Sequence, residues 1–88
     1  MIAMNYTITD ANGAPLPVGT PVVLIVNGGQ ADVWADPANP GRFQLKFPNP
    51  GPVTALVSSP LGQKVWSDTI PAGGGEATAN NPLVLLPF

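Results

Sequence analysis

The side chains that most often carry out acid–base and nucleophilic chemistry are largely missing from this sequence. It contains no histidine and no cysteine, and its charged residues are five acids and three bases. General acid–base and nucleophilic catalysis usually depend on histidine, cysteine or close pairs of carboxylates. We therefore expect no enzymatic activity and no cofactor, but a binding or structural role. The acids are scattered over predicted turns and strands, at Asp10, Asp32, Asp36, Asp68 and Glu76.

Three of these acids, Asp10, Asp32 and Asp36, raise the question of a calcium site. Calcium takes roughly six to eight oxygen ligands, usually from several clustered carboxylates. The segment Asp10-Ala11-Asn12-Gly13 resembles only half of such a loop, and no terminal glutamate follows it. We expect ordinary turn chemistry and solvated strand faces here, and no metal site.

The charge of the chain excludes several classes of partner. Its only cations are Arg42, Lys46 and Lys64, and the net charge is −2, whereas a nucleic-acid site needs several basic residues on one face. No apolar stretch approaches the ~20 residues of a membrane span. Charged residues make up 9% of the chain, against about 25% in ordinary globular domains. Weak charge repulsion suits a protein that lives in an assembly.

The first residues do not have the pattern of a secretion signal. Met1-Ile2-Ala3-Met4 contains no basic residue, and a polar, strand-like run follows at once, unlike a signal peptide. We therefore expect either a domain made in the cytoplasm without a secretion signal or one cut from a longer protein, and Met1 favours the first. The absence of cysteine leaves the redox compartment open.

The periodicity of the chain predicts one small all-β domain. Twelve prolines and ten glycines fall in clusters between short apolar runs, where turns belong. Seven short strands at such spacing predict an immunoglobulin-like antiparallel β-sandwich covering residues 1–88, with a small barrel as the structural alternative. We expect no helix longer than one turn. No connection is long enough for a helical crossover, so we also expect no parallel pairing.

Several segments have clear local patterns. Tyr6 and Ile8 share one strand face, and Asp10 to Gly13 predicts a turn. Asn27-Gly28-Gly29 is the best hairpin turn. The apolar run Val22 to Val26 predicts either a strand covered on both faces or a face kept for a partner. The remaining predictions are an edge connection over 14–19 and strands over 30–36, 42–47, 53–59, 63–70 and 83–86. The stretch over 71–81 is predicted to be irregular, as either a mobile loop or a crossing between sheets.

Two segments resemble bacterial immunoglobulin-like and carboxypeptidase-regulatory-like domains. The run Ile8 to Val22 is similar to the family's opening D-x-x-G-x-P-(x)-x-G-x-x-V, and Ala35 to Leu45 is similar to its T-D-x-x-G-x-F-x-L segment. The resemblance covers residues 5–70 and implies a sandwich fold without catalytic residues. Such domains serve in adhesion, as spacers and on phage virions. On its size and context, the chain resembles a phage capsid decoration protein, which implies a place on the virion surface.

The two tryptophans are candidate contact residues. Trp34 alternates with Asp32 and Asp36, and Trp66 alternates with Lys64 and Asp68, so both are predicted on polar faces. Interface hot spots are enriched in tryptophan, and a pair on one exposed face would form a sugar-stacking platform. The alternative is that one or both fill the core.

Both ends of the chain are apolar, which predicts either a final strand or contact surfaces. The expected partners are a phage major capsid protein or another virion protein, and further copies of this chain in a homo-oligomer such as a trimer. A carbohydrate or cell surface is the alternative partner. The candidate partner-binding residues are Met1, Ile2, Met4, Trp34, Trp66, Leu85, Leu86 and Phe88.

Overall fold

The computed structural model describes residues 2–76 and 83–88. These residues form nine β-strands and no helix, which confirms the all-β prediction. Accordingly, no helix in the described residues is long and apolar enough to cross a membrane. The strands are β1 Ile2–Thr9, β2 Val23–Val26, β3 Gly29–Ala31, β4 Val33–Ala35, β5 Arg42–Phe47, β6 Gly51–Ser59, β7 Gly62–Ile70, β8 Gly75–Glu76 and β9 Leu83–Val84.

The strands form two sheets that face each other across one core. The five-stranded sheet has the order β4-β5-β1-β8, and β9 also pairs with β1. The four-stranded sheet has the order β3-β2-β6-β7. Side chains from both sheets belong to a single hydrophobic cluster. The architecture is consistent with a β-sandwich, in which each sheet buries one face and presents the other to solvent.

The expectation of no parallel pairing is wrong. β1 runs parallel to β8, with Asn5 opposite Glu76, and parallel to β9, with Ile8 opposite Leu83. A helical crossover is one way to connect parallel strands. Here most of the chain lies between β1 and its parallel partners β8 and β9, so these strands reach β1 without a helical crossover.

The predicted strand over 30–36 is divided between the two sheets. β3 pairs with β2 in the four-stranded sheet, and β4 pairs with β5 in the five-stranded sheet. The single residue between them, Asp32, accepts a hydrogen bond from the Lys46 backbone N–H over 3.0 Å. The alternation of inward and outward side chains continues from β3 into β4, which is why the sequence predicts one strand. The described residues consequently contain more strands than the seven that were predicted.

Alternation correctly predicts the buried faces of the strands in the five-stranded sheet. Tyr6 and Ile8 of β1 are buried, and so are Phe43, Leu45 and Phe47 of β5. The intervening residues of β5 face outward. Burying apolar surface is the main favourable term in folding, and a chain of this size depends on one well-filled core. The remaining buried apolar residues are Met4, Leu16, Leu24, Val26, Ala55, Val57, Trp66, Ile70, Leu83 and Leu85.

Two of the predicted turns form for the reasons that the sequence gives. The Asp10 carboxylate accepts hydrogen bonds from the backbone N–H groups of Asn12 and Ala14, at 2.9 and 3.1 Å. Asn27 and Gly28 both have positive φ, at 52° and 80°. This pair of conformations joins β2 to β3 in the tight turn that Asn-Gly sequences favour.

The irregular stretch predicted over 71–81 contains one strand and a crossing between the sheets. The chain leaves β7 in the four-stranded sheet and enters β8 in the other sheet. Gly74 allows the chain to pass close to the backbone of β1. It has a φ of 67°, and a Cβ at this position would collide with the carbonyl oxygen of Ala3. Residues 77–81 of the predicted stretch, and Pro82 after it, lie outside the described residues.

Candidate binding surfaces

The outer face of the four-stranded sheet has an apolar centre. Ile25 lies opposite Leu56, and Leu56 lies opposite Val65, so three strands contribute one cross-strand row. Val65 is 69% exposed. Val23 of β2 and Leu86, which is bridged to Gln63 of β7, lie in the next row. We call this surface the apolar sheet face; it consists of Val23, Ile25, Leu56, Val65 and Leu86.

The apolar sheet face is surrounded by uncharged polar residues. No outward-facing residue of the described strands β2, β6 and β7 carries a charge. Thr54 and Ser67, for example, lie opposite each other with their hydroxyl oxygens 3.1 Å apart. A sheet face with an apolar centre and no charge is unusual for a solvent-exposed surface, since soluble monomers rarely expose large contiguous apolar patches.

The C-terminal segment adds a groove to this face. Leu86 and Gln63 exchange two backbone hydrogen bonds, at 2.9 and 3.0 Å. Residues of β7 and of the segment after β9 then line an open groove, formed by Gln63, Lys64, Val65, Leu86 and Pro87. The groove makes this side of the face concave.

The outer face of the five-stranded sheet is polar, with one aromatic residue. Trp34 of β4 lies opposite Gln44, Gln44 lies opposite Asn5, and Asn5 lies opposite Glu76. We call these four residues the tryptophan row. Trp34 is 53% exposed, as its predicted position on a polar strand face requires.

At the end of the tryptophan row opposite Trp34, charged and amide groups are linked by an ion pair and a hydrogen bond. The Arg42 guanidinium forms an ion pair with the Glu76 carboxylate. The Asn5 amide donates to the same carboxylate over 3.3 Å. These contacts join β1, β5 and β8, so the positions of the polar groups in the row depend on one another.

The second tryptophan does not share an exposed face with the first. Trp66 is 3% exposed and packs inside the sandwich. Its ring stands perpendicular to Tyr6, with centroids 5.0 Å apart, and lies 5.9 Å from Phe47. The prediction of a paired tryptophan platform is therefore wrong. Lys64 and Asp68, the residues that suggested a polar face, are half-buried and lie at the edge of the core.

The candidate contact residues at the two ends are divided between core and surface. Met4 and Leu85 are buried in the core, and Ile2 packs against it, so Met4 and Leu85 offer no surface in the folded chain. Leu86 and Phe88 are exposed, by 53% and 79%. Met1 lies outside the described residues.

The acidic residues considered as metal ligands do not meet. Within the described residues, no group of three or more acidic side chains could hold a metal ion. Asp36 instead shapes its own loop, where it accepts hydrogen bonds from the Asn39 side chain at 2.8 Å and the Ala38 backbone at 2.9 Å. The hydrogen bond from the Asn39 side chain lowers the pKa of Asp36 below its ordinary value, and the bond from the Ala38 backbone adds a smaller effect in the same direction.

Sequence reasoning missed the residues that surround Trp34. Gln44, Asn5 and Glu76 come from three separate strands, and only the strand order brings them into one row. No family model, no curated protein and no solved structure matches this chain. Its function is therefore inferred from its own surfaces.

Proposed function

We propose that this chain is a non-enzymatic assembly protein that binds a protein surface through the apolar sheet face. The observation that carries the proposal is the uncharged cross-strand row of Ile25, Leu56 and Val65 on a solvent-exposed sheet. Apolar groups at the centre of an interface supply most of its binding energy, and exposed apolar patches on soluble domains often mark such interfaces.

The partner that we favour is the coat protein of a phage capsid, so that the chain acts as a decoration protein with an immunoglobulin-like fold. Two facing, mostly antiparallel sheets support that fold. The low charge of the chain supports close approach to other subunits. Binding only to the assembled shell would stabilise the shell by mass action. In this proposal the protein is made in the host cytoplasm and resides on the outer surface of the virion.

The charges of the chain favour this orientation of the domain. Arg42, Lys46 and Glu76 lie on the outer face of the five-stranded sheet. The outward-facing residues of β2, β6 and β7 are uncharged, so covering them removes no charge from water, and burial of unpaired charge is costly. Lys64 lines only the groove beside this face. A domain bound through the apolar sheet face therefore keeps its charged face in water.

The test is size-exclusion chromatography with light scattering, with the protein alone and with tailless capsids stripped of small accessory proteins. We expect the wild-type protein to co-elute with the capsids. A Val65→Asp variant should lose at least about tenfold in affinity, because it places a charge in the centre of the interface. Val18→Asp is the matched control, since Val18 is 54% exposed but lies outside the apolar sheet face.

Three results would overturn the capsid assignment. The first is a wild-type protein that does not associate with capsids, and the second is a Val65→Asp variant that associates as well as wild type. The third is a free protein with the mass of several copies that falls to one copy in Val65→Asp. That result would mean that a second copy of the chain covers the apolar sheet face.

A further inference from the structure

We propose that the tryptophan row is a binding site for a neutral polysaccharide chain. The row lies on the outer face of the five-stranded sheet, and the apolar sheet face lies on the outer face of the other sheet. The two surfaces are therefore on opposite sides of the domain. Ligand binding at the row does not require that the capsid proposal be correct.

The aromatic end of the row provides the apolar half of a sugar site. Trp34 is half-exposed on the edge strand β4, so its indole ring is accessible from solvent. An indole combines a wide apolar surface with one N–H donor. The C–H face of a pyranose ring is apolar and flat, and it is complementary to such a surface.

The rest of the row provides the polar half. Gln44 and Asn5 carry amide groups that both donate and accept hydrogen bonds, and Glu76 accepts them. A sugar hydroxyl is also both donor and acceptor, so this mixed set matches a polyhydroxylated chain. Arg42 is ion-paired with Glu76. The pairing removes the excess of either charge at that end of the row, which favours a neutral ligand over an anionic one.

The dimensions of the row indicate a polymer. Neighbouring strands lie about 4.8 Å apart, so the four residues extend over roughly 14 Å across the sheet. A single sugar is usually held in a concave pocket that surrounds it. An extended row on a sheet face instead contacts consecutive rings of a longer chain, each with a small contribution to affinity.

The test is affinity gel electrophoresis with the neutral polysaccharides xylan, dextran and hydroxyethylcellulose, and with the anionic dextran sulfate. We expect at least one neutral polysaccharide to retard the wild-type protein. Trp34→Ala should weaken this binding by about tenfold or more, as removal of a central aromatic contact does. Trp34→Phe should keep part of the affinity, because it keeps an aromatic face.

Val18→Ser is the matched control, since it removes an exposed apolar side chain that lies outside both the tryptophan row and the apolar sheet face, without changing the charge of the protein. Far-UV circular dichroism and urea unfolding confirm that each variant is folded. The proposal is overturned if no neutral polysaccharide retards the wild-type protein or if only dextran sulfate does. Equal retardation of Trp34→Ala and wild type would also overturn it.

Discussion

The hydroxyl group of Tyr6 donates a hydrogen bond of 2.8 Å to the Asp68 carboxylate. Tyr6 belongs to β1 of the five-stranded sheet, and Asp68 belongs to β7 of the four-stranded sheet. The bond therefore links the two layers of the domain beside the perpendicular contact between Tyr6 and Trp66. It also gives a polar partner to a tyrosine that is almost completely buried, as buried hydroxyl groups require.

Removal of this hydroxyl should destabilise the fold without changing either binding surface. We expect Tyr6→Phe to lower the free energy of unfolding by about 1–2 kcal/mol, because a half-buried carboxylate loses a hydrogen-bond donor. Urea unfolding followed by tryptophan fluorescence measures the change. In an Asp68→Asn background the same substitution should cost less. Equal costs in both backgrounds would show that the hydrogen bond contributes nothing.

The stability of the protein should fall at alkaline pH because of Tyr6. Burial, the hydrogen bond to Asp68 and the negative charge of Asp68 raise the pKa of Tyr6 above its ordinary value. The unfolded chain loses the phenolic proton near the ordinary pKa of about 10, whereas the folded chain still holds it. The stabilisation is thus complete below that pH and is lost as the pH rises above it.

The measurement is urea unfolding at a series of alkaline pH values, for wild type and Tyr6→Phe. The loss of stability attributable to Tyr6 is the difference between the two curves, since every other ionisable group is present in both proteins. Tyr6 is the only tyrosine in the chain, so the absorbance of tyrosinate follows its ionisation directly. Parallel stability curves would contradict the prediction.

Two truncations at the C-terminus should differ greatly in their effect on the stability of the fold. Leu83 and Leu85 are fully buried, whereas Phe88 is largely exposed. We expect removal of residues 87–88 to change the stability by less than about 0.5 kcal/mol, as for most surface changes. Removal of residues 83–88 should unfold the domain, because each lost leucine costs roughly 2–5 kcal/mol of a small total.

Circular dichroism and thermal unfolding distinguish these outcomes. A folded and stable protein lacking residues 83–88 would contradict the assignment of Leu83 and Leu85 to the core. The short truncation also tests Pro87 and Phe88 together as contact residues in a folded protein, which the longer truncation does not.

Local sequence patterns predict the strand faces and turns of this domain better than they predict its pairing. Arg42 to Phe47 and Asn27-Gly28 follow rules that act within a few residues, and both form as expected. Trp66 was placed on a polar face because alternation relates residues to one another but does not say which face is inward. Its register with Ala55 on β6 decides that question.

The tryptophan row illustrates the same limit for the candidate sites. Trp34 was recognised from its own strand, but Gln44, Asn5 and Glu76 join it only through long-range pairing. The change of sheet at Asp32 could not be predicted either, because a strand that passes from one sheet to the other keeps the same alternation of inward and outward side chains. Such features depend on which strands meet, and single-sequence periodicity carries little information about that.

The position of β1 has a consequence for how the protein is made. β1 is synthesised before the other described strands, yet β8 and β9, which flank it on one side, come last among them. Contacts between such distant segments are slow to form, because a long loop must close first. One edge of β1 therefore stays unpaired until β8 and β9 have been synthesised, and chaperones that shield exposed strand edges should raise the yield of folded protein.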